Sequence, residues 1–152
     1  MAFPNIFTQV GADGIIQRIN NLDAKSQAQW GKMSVSQMLA HCCVSYETVY
    51  ENKHPKPNFF MKFVLKLFVK NGVVNEVPYP KNGMTAPYFI IKDEKQFETE
   101  KQRLIAYIKR SQELGEVHFD GKESFSFGKL TKTEWNNLFY KHLDHHLKQF
   151  GV

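Results

Sequence analysis

The sequence predicts an all-α protein, a four-helix bundle, and three observations carry that prediction. Four long segments repeat apolar residues at three- and four-residue intervals, the period of a helix with one buried face. Two of them open on capping boxes, Ser34 with Gln37 and Thr131 with Glu134. No stretch alternates apolar and polar residues convincingly enough for a half-buried strand. A chain of 152 residues then fits a single domain over residues 1–152, large enough to bury a core unaided.

Composition narrows the function classes. With 42% hydrophobic residues and 13 Phe, the chain should fold rather than stay disordered. The net charge is +5, but Lys and Arg are spread along the chain and no binding motif accompanies them, so no nucleic-acid partner is expected. Cys42 and Cys43 are adjacent and cannot staple distant segments, which suits a reducing cytoplasm. The first residues lack the basic start and apolar run of a signal peptide. No apolar stretch is long enough to span a bilayer, so no membrane partner is expected either.

The elements follow in order. Residues 1–10 read as a lead-in. Asp13 is placed to cap a first helix through about Asn21, burying Ile15, Ile16 and Ile19. Residues 23–31 form a polar connection that carries Trp30. The second helix runs from its cap at Ser34 to about Asn52, with an apolar stripe of Val35, Met38, Leu39, Cys42, Tyr46, Val49 and Tyr50 and with His41 at its border. Residues 53–57, KHPKP, break it. A short helix over residues 58–72 is expected to close at Gly72. Lys62, Lys66 and Lys70 form its one charged stripe. That polar face is too narrow for a typical interfacial helix, so it should pack over the bundle or form a dimer surface. Residues 73–91 form a loop with Pro78, Pro80, Gly83 and Pro87 and an extended piece at 88–91. A connection this long should cover a pocket, and it lets the flanking helices run in parallel. Asp93 opens the third long helix, which buries Phe97, Leu104, Ile105 and Ile108, solvates Glu94, Glu98 and Glu100, and ends at Gly115. Residues 115–130 form a second loop. His118 in it has no partner in spacing and reads as a surface residue, with a substrate contact as the alternative.

The final helix, residues 131–150, carries the chemistry. Trp135, Leu138, Phe139, Leu143, Leu147 and Phe150 share a broad apolar arc, while Asn137, Lys141, Asp144 and Lys148 lie opposite and should face solvent. His142 and His146 project from the middle of the apolar arc, with Gln149 beside them and His145 at the edge. Two imidazoles buried there cost free energy unless something satisfies them. Four residues apart, they point the same way from successive turns, which lets one helix give two nitrogens to one metal ion. His41 is the natural third ligand. Three protein ligands leave coordination positions open, the arrangement of a catalytic site. A coordinated water of lowered pKa or a substrate thiolate could then react. Three imidazoles suit zinc, nickel, copper and iron alike. Gln149 is expected to orient a ligand from behind. His145 and Tyr46 are further pocket candidates, with Glu47 and Asp144 behind them. Cys42 and Cys43 diverge by about 100° on a helix, so at most one could join His41, and both read better as small buried residues.

The segment HLDHHLKQFG, following TKTEWNNLFYKH, resembles the C-terminal signature of the DinB-like superfamily, in a branch described only as a domain of unknown function. TAPYFIIKDEKQFETEKQRLIAYIKR and MSVSQMLAHCCVSYE resemble the same branch, so the resemblance covers nearly the whole chain. It implies a down-up-up-down four-helix bundle whose metal site takes one His from the second helix and an H-x-x-x-H pair from the fourth. Those positions are His41, His142 and His146. It also implies a homodimer, and an activity such as thiol-dependent transfer or isomerisation with a low-molecular-weight thiol and zinc or nickel. Members of the branch often carry a His-Pro pair before the Phe-Gly that precedes the last helix. Here that stretch reads Ser124, Phe125, Ser126, Phe127, Gly128. The function expected is a metal-dependent enzyme, a thiol-dependent transferase or a hydrolase, acting on a small-molecule substrate through an open three-His site that holds zinc, nickel or iron. The alternative is a non-catalytic bundle, a binding or interaction protein, whose His cluster or metal is structural or whose apolar helix at residues 59–69 serves partner binding. No arginine cluster names the carboxylates of a thiol cofactor.

Overall fold

The computed structural model describes residues 2–152, and the described chain is mainly helical. Its four longest helices are α1 (Gln9–Asn20), α2 (Val35–Tyr50), α5 (Phe97–Phe119) and α6 (Lys132–Gln149), which share one hydrophobic core. Between α2 and α5 come α3 (Phe59–Phe68), α4 (Lys70–Val74) and a 3-10 turn (Pro87–Phe89). A two-strand antiparallel hairpin, β1 (Glu123–Ser124) with β2 (Gly128–Lys129), leads into α6. Both capping boxes form. Ser34 Oγ accepts from the Gln37 N–H at 3.2 Å and Thr131 Oγ1 from the Glu134 N–H at 3.2 Å, each with the return bond from the N-cap amide.

Several sequence expectations are corrected. α1 starts earlier than predicted, because Thr8 and not Asp13 caps it, accepting from the Gly11 amide at 3.1 Å. Asp13 instead takes two hydrogen bonds from Gln9 within the helix. Gly11 is required where the lead-in crosses the helix, since a Cβ there would lie 1.9 Å from the Asn5 carbonyl oxygen. The lead-in itself supplies core side chains, Ile6 and Phe7; its Met1 lies outside the described residues. Gly72 does not stop the helix after Asn58. The break falls at Val69, and Gly72 sits inside α4. The extended piece at 88–91 is instead the 3-10 turn, with Pro87 at its start. α5 begins at Phe97, four residues later than predicted, and continues past Gly115, whose φ of +72° bends it before a last turn to Phe119. Glu100 is buried in a pair with Arg103 (2.5 Å), not solvated.

The largest correction concerns α6. Asn137, Lys141 and Asp144 were expected in solvent, yet all three are buried, Lys141 to 1% exposure. The reason is α4 and the chain after it, which lie across that face. Asn137 Nδ2 donates to the Val74 carbonyl at 2.8 Å. Lys141 Nζ donates to Gly72 O (2.9 Å), Asn75 O (2.8 Å) and Asn75 Oδ1 (2.9 Å). Burial pushes the Lys141 ammonium down to about 8, and three oxygens hold it. Asp144 pairs with Arg18 of α1 (2.9 Å) and with Lys148 (2.8 Å). So α6 is buried on nearly every side, on one by apolar packing and on the other by satisfied polar groups.

For α3, packing over the bundle was one of two expectations, the other being a dimer surface. None of its residues is buried, so it does not pack over the core.

Candidate metal centre

His41 lies in the second turn of α2, and His142 and His146 lie one turn apart on α6. The interlocked helices bring the three rings together, with centroids 4.6 to 4.9 Å apart. One ligating nitrogen from each lies within 4.8 Å of the others, and among the described residues no fourth His, Cys, Asp or Glu joins the group. His41 and His146 are buried, while His142 is intermediate.

Each imidazole is held from behind at Nδ1. His41 Nδ1–H donates to the Phe89 carbonyl at 2.8 Å. His146 Nδ1 lies 2.8 Å from Gln149 Oε1. The Gln149 amide is oriented by its own Nε2, which donates to the Trp30 carbonyl at 2.6 Å, so Oε1 must accept from His146. Gly31 leaves room for this, since a Cβ on it would lie 2.5 Å from Gln149 Nε2 and its φ is +83°. His142 Nδ1 lies 2.9 Å from Ser45 Oγ.

These partners dictate where the lone pairs are. His41 and His146 carry their protons on Nδ1, so both Nε2 atoms are bare. His142 Nε2 is 3.0 Å from His41 Nε2. Without a cation, that contact needs a proton on His142 Nε2, and the Ser45 hydroxyl then donates to His142 Nδ1. With a cation, the proton moves to Nδ1 and Ser45 accepts it. A hydroxyl can do either, whereas a methyl can do neither.

Electrostatics keep the group neutral. Burial, then the neighbouring His146 and His41, hold His142 well below the usual imidazole range. Burial and then His41 bring His146 down to about 3. Burial lowers His41, with the Phe89 carbonyl acting against it. Protons therefore do not compete for these nitrogens near neutral pH.

Three buried or half-buried imidazoles this close together could hold a metal ion. Two imidazoles on one tetrahedral zinc stand about 3.3 Å apart; the His41–His142 pair is close to this at 3.0 Å, and the three nitrogens together span up to 4.8 Å. Each of the three rings also has the hydrogen-bonded partner that metal-bound histidines almost always have.

The long connection closes over this cluster. The Phe89 ring lies 5.1 Å from the His41 ring and 5.6 Å, edge-on, from that of His142. Its neighbour Tyr88 packs 5.7 Å from His54 and 5.5 Å from Phe125 of the hairpin.

Other candidates fall elsewhere. His145 sits between Trp30 and Tyr79 and against His146, outside the cluster. Tyr46 stacks between Phe139 and Tyr107 in the core, and its hydroxyl has no hydrogen-bond partner among the described residues. Glu47 ties α2 to α5 through Arg103 and accepts from His54 at 2.7 Å. His118 is exposed, with its Nε2 2.9 Å from Lys122 Nζ. Cys42 and Cys43 are buried free thiols. Sequence reasoning missed Ser45 and the Phe89 carbonyl. Ser45 was within reach, since it lies one helical turn after His41. The Phe89 carbonyl has no sequence signal.

A family model described as a protein of unknown function (DUF1569) matches residues 7–151. No curated protein matches the chain, and no solved structure does.

Proposed function

We propose, for a chain that belongs to the DUF1569 family of proteins of unknown function, the role of a metal-dependent enzyme, a thiol-dependent transferase or a hydrolase. His41, His142 and His146 are its ligands. The observation that carries this reading is the set of Nδ1 anchors, which leave the Nε2 atoms of His41 and His146 bare and turn those of His41 and His142 to one point. A divalent ion held there (zinc, nickel or iron) would supply Lewis-acid polarisation and stabilise a substrate thiolate. Gln149 and Ser45 fix the ligand rings, and Phe89 keeps bulk water from them. The reading extends to a single-domain, DinB-like four-helix bundle, supported by a His on the second long helix and an H-x-x-x-H pair on the last. It also extends to a homodimer taking a small-molecule substrate. The unpaired Cys42 and Cys43 support the cytoplasm as its compartment.

Metal analysis of the purified protein tests the site. We expect near one divalent ion per chain in the parent and loss in His142→Ala. Equal metal content in the two would remove His142 from the ligand set. Ser45→Ala should keep the fold and weaken metal binding about tenfold to a hundredfold, read by competition with a chromophoric chelator. An unchanged affinity would show that Ser45 does not position His142.

The Phe89 ring over the cluster favours a second reading, in which the metal only ties α2 to α6. Cobalt-substituted protein separates the two. A new absorption band on adding glutathione means an open position and supports the enzyme. No spectral change with glutathione or azide means a sealed, structural site.

A further inference from the structure

The exposed helix α3 is the largest feature that the metal centre leaves unexplained. Phe59 is 89% exposed, Phe60 71%, Phe63 54%, Leu67 57% and Phe68 79%. They occupy one broad arc of the helix, Lys62 and Lys66 run along its margin, and Lys70 follows at the start of α4. Contiguous exposed apolar surface of this kind marks a docking site. Residues 55–75 contain Lys56 and these three lysines but no Asp or Glu. Lys70 is answered by Glu134 of α6 (2.7 Å), which ties the end of this segment to the body.

We propose that α3 lies flat on an anionic lipid surface, its Phe and Leu side chains in the acyl boundary and its lysines at the phosphate level. Charge decides between this occupant and a second copy of the chain. Isologous pairing of two α3 helices would bring identical lysine stripes together with no carboxylate in the segment to answer them. Anionic headgroups answer them directly, and lysine stems can reach up from an inserted helix. The narrow polar stripe, which argued against a membrane in the sequence, is no obstacle here. Lys62, Val64 and Leu65 are half-buried, so the protein body covers part of the helix and leaves the Phe and Leu side chains named above exposed. Among the described residues no helix is long and apolar enough to cross a membrane, and ten residues span only about 15 Å, so the contact is peripheral.

Co-sedimentation of the full chain with vesicles tests this, beside sedimentation velocity without lipid. Vesicles of phosphatidylcholine mixed with phosphatidylglycerol should capture the protein, and phosphatidylcholine alone should capture far less. The double variants Phe59→Ser/Phe63→Ser and Lys62→Glu/Lys66→Glu should each bind the mixed vesicles at least about tenfold more weakly. Their far-ultraviolet circular dichroism should match the parent, because these side chains support no core. Equal recovery in the supernatant with both vesicle types overturns the proposal. So does a lipid-free dimer that the Phe variant dissociates and that vesicles do not capture, which makes a second copy the occupant.

Discussion

Lys141→Ala is expected to lower the unfolding free energy by about 3 kcal/mol, with a fall in melting temperature of roughly 10 °C. The ammonium is the shared donor to Gly72 O, Asn75 O and Asn75 Oδ1. Asn75 Oδ1 keeps a second bond from the Val77 amide at 3.0 Å, so the two backbone oxygens bear the loss. Each buried acceptor left alone costs about 1 kcal/mol or more, and the truncated stem adds a cavity. The same substitution frees α4 from α6. Lys141→Met should cost less, because it fills the slot and removes a buried charge along with its bonds. Urea midpoints at pH 7 would decide. An Ala variant within about 0.5 kcal/mol of the parent, the ordinary range for surface positions, would mean that water replaces the ammonium freely and that α4 is held by other contacts.

Acidifying the metal-free protein should destabilise it well above the carboxylate range. His146 is held at about 3 in the fold, against about 6.5 in the unfolded chain. Its folded value is the lower one, so between these limits the unfolded state binds more protons. The stability it contributes is full above pH 6.5 and is lost as pH falls. From pH 6.5 to pH 5, His146 alone should remove about 2 kcal/mol. His142 and His41 are shifted in the same direction and add to the loss. Urea unfolding across that interval measures the slope, and His146→Gln should flatten it. A stability that rises on acidification, or the same slope in the variant, would contradict the burial of a neutral imidazole there. Bound metal should shift the loss to lower pH, because the ion and the proton compete for the same nitrogen.

Much of this was legible because it is local. The capping boxes at Ser34 and Thr131 need only residues three apart, and both formed. The pairing of His142 with His146 needs only the helical period, and their rings stand 4.9 Å apart. The start of α1 went wrong for a local reason too, since Thr8 and Asp13 are both good caps. What favours Thr8 is the close crossing of Gly11 over Asn5, which a scan of periodicity does not see.

Composition and spacing by themselves determined a helical chain, the faces of its long helices, and three imidazoles of which two had to share a side. Only the tertiary structure decided that His41 meets them, which nitrogen each ring turns inward, and that a serine and a backbone carbonyl stand behind two of them. It also decided that the polar side of α6 is interior and the apolar α3 is exterior, the reverse of what their residues suggest. The physical reason is that a polar face can be buried wherever another segment brings matching donors and acceptors to it. An apolar face remains exposed when no segment of the same chain reaches it, and that depends on where the connections run.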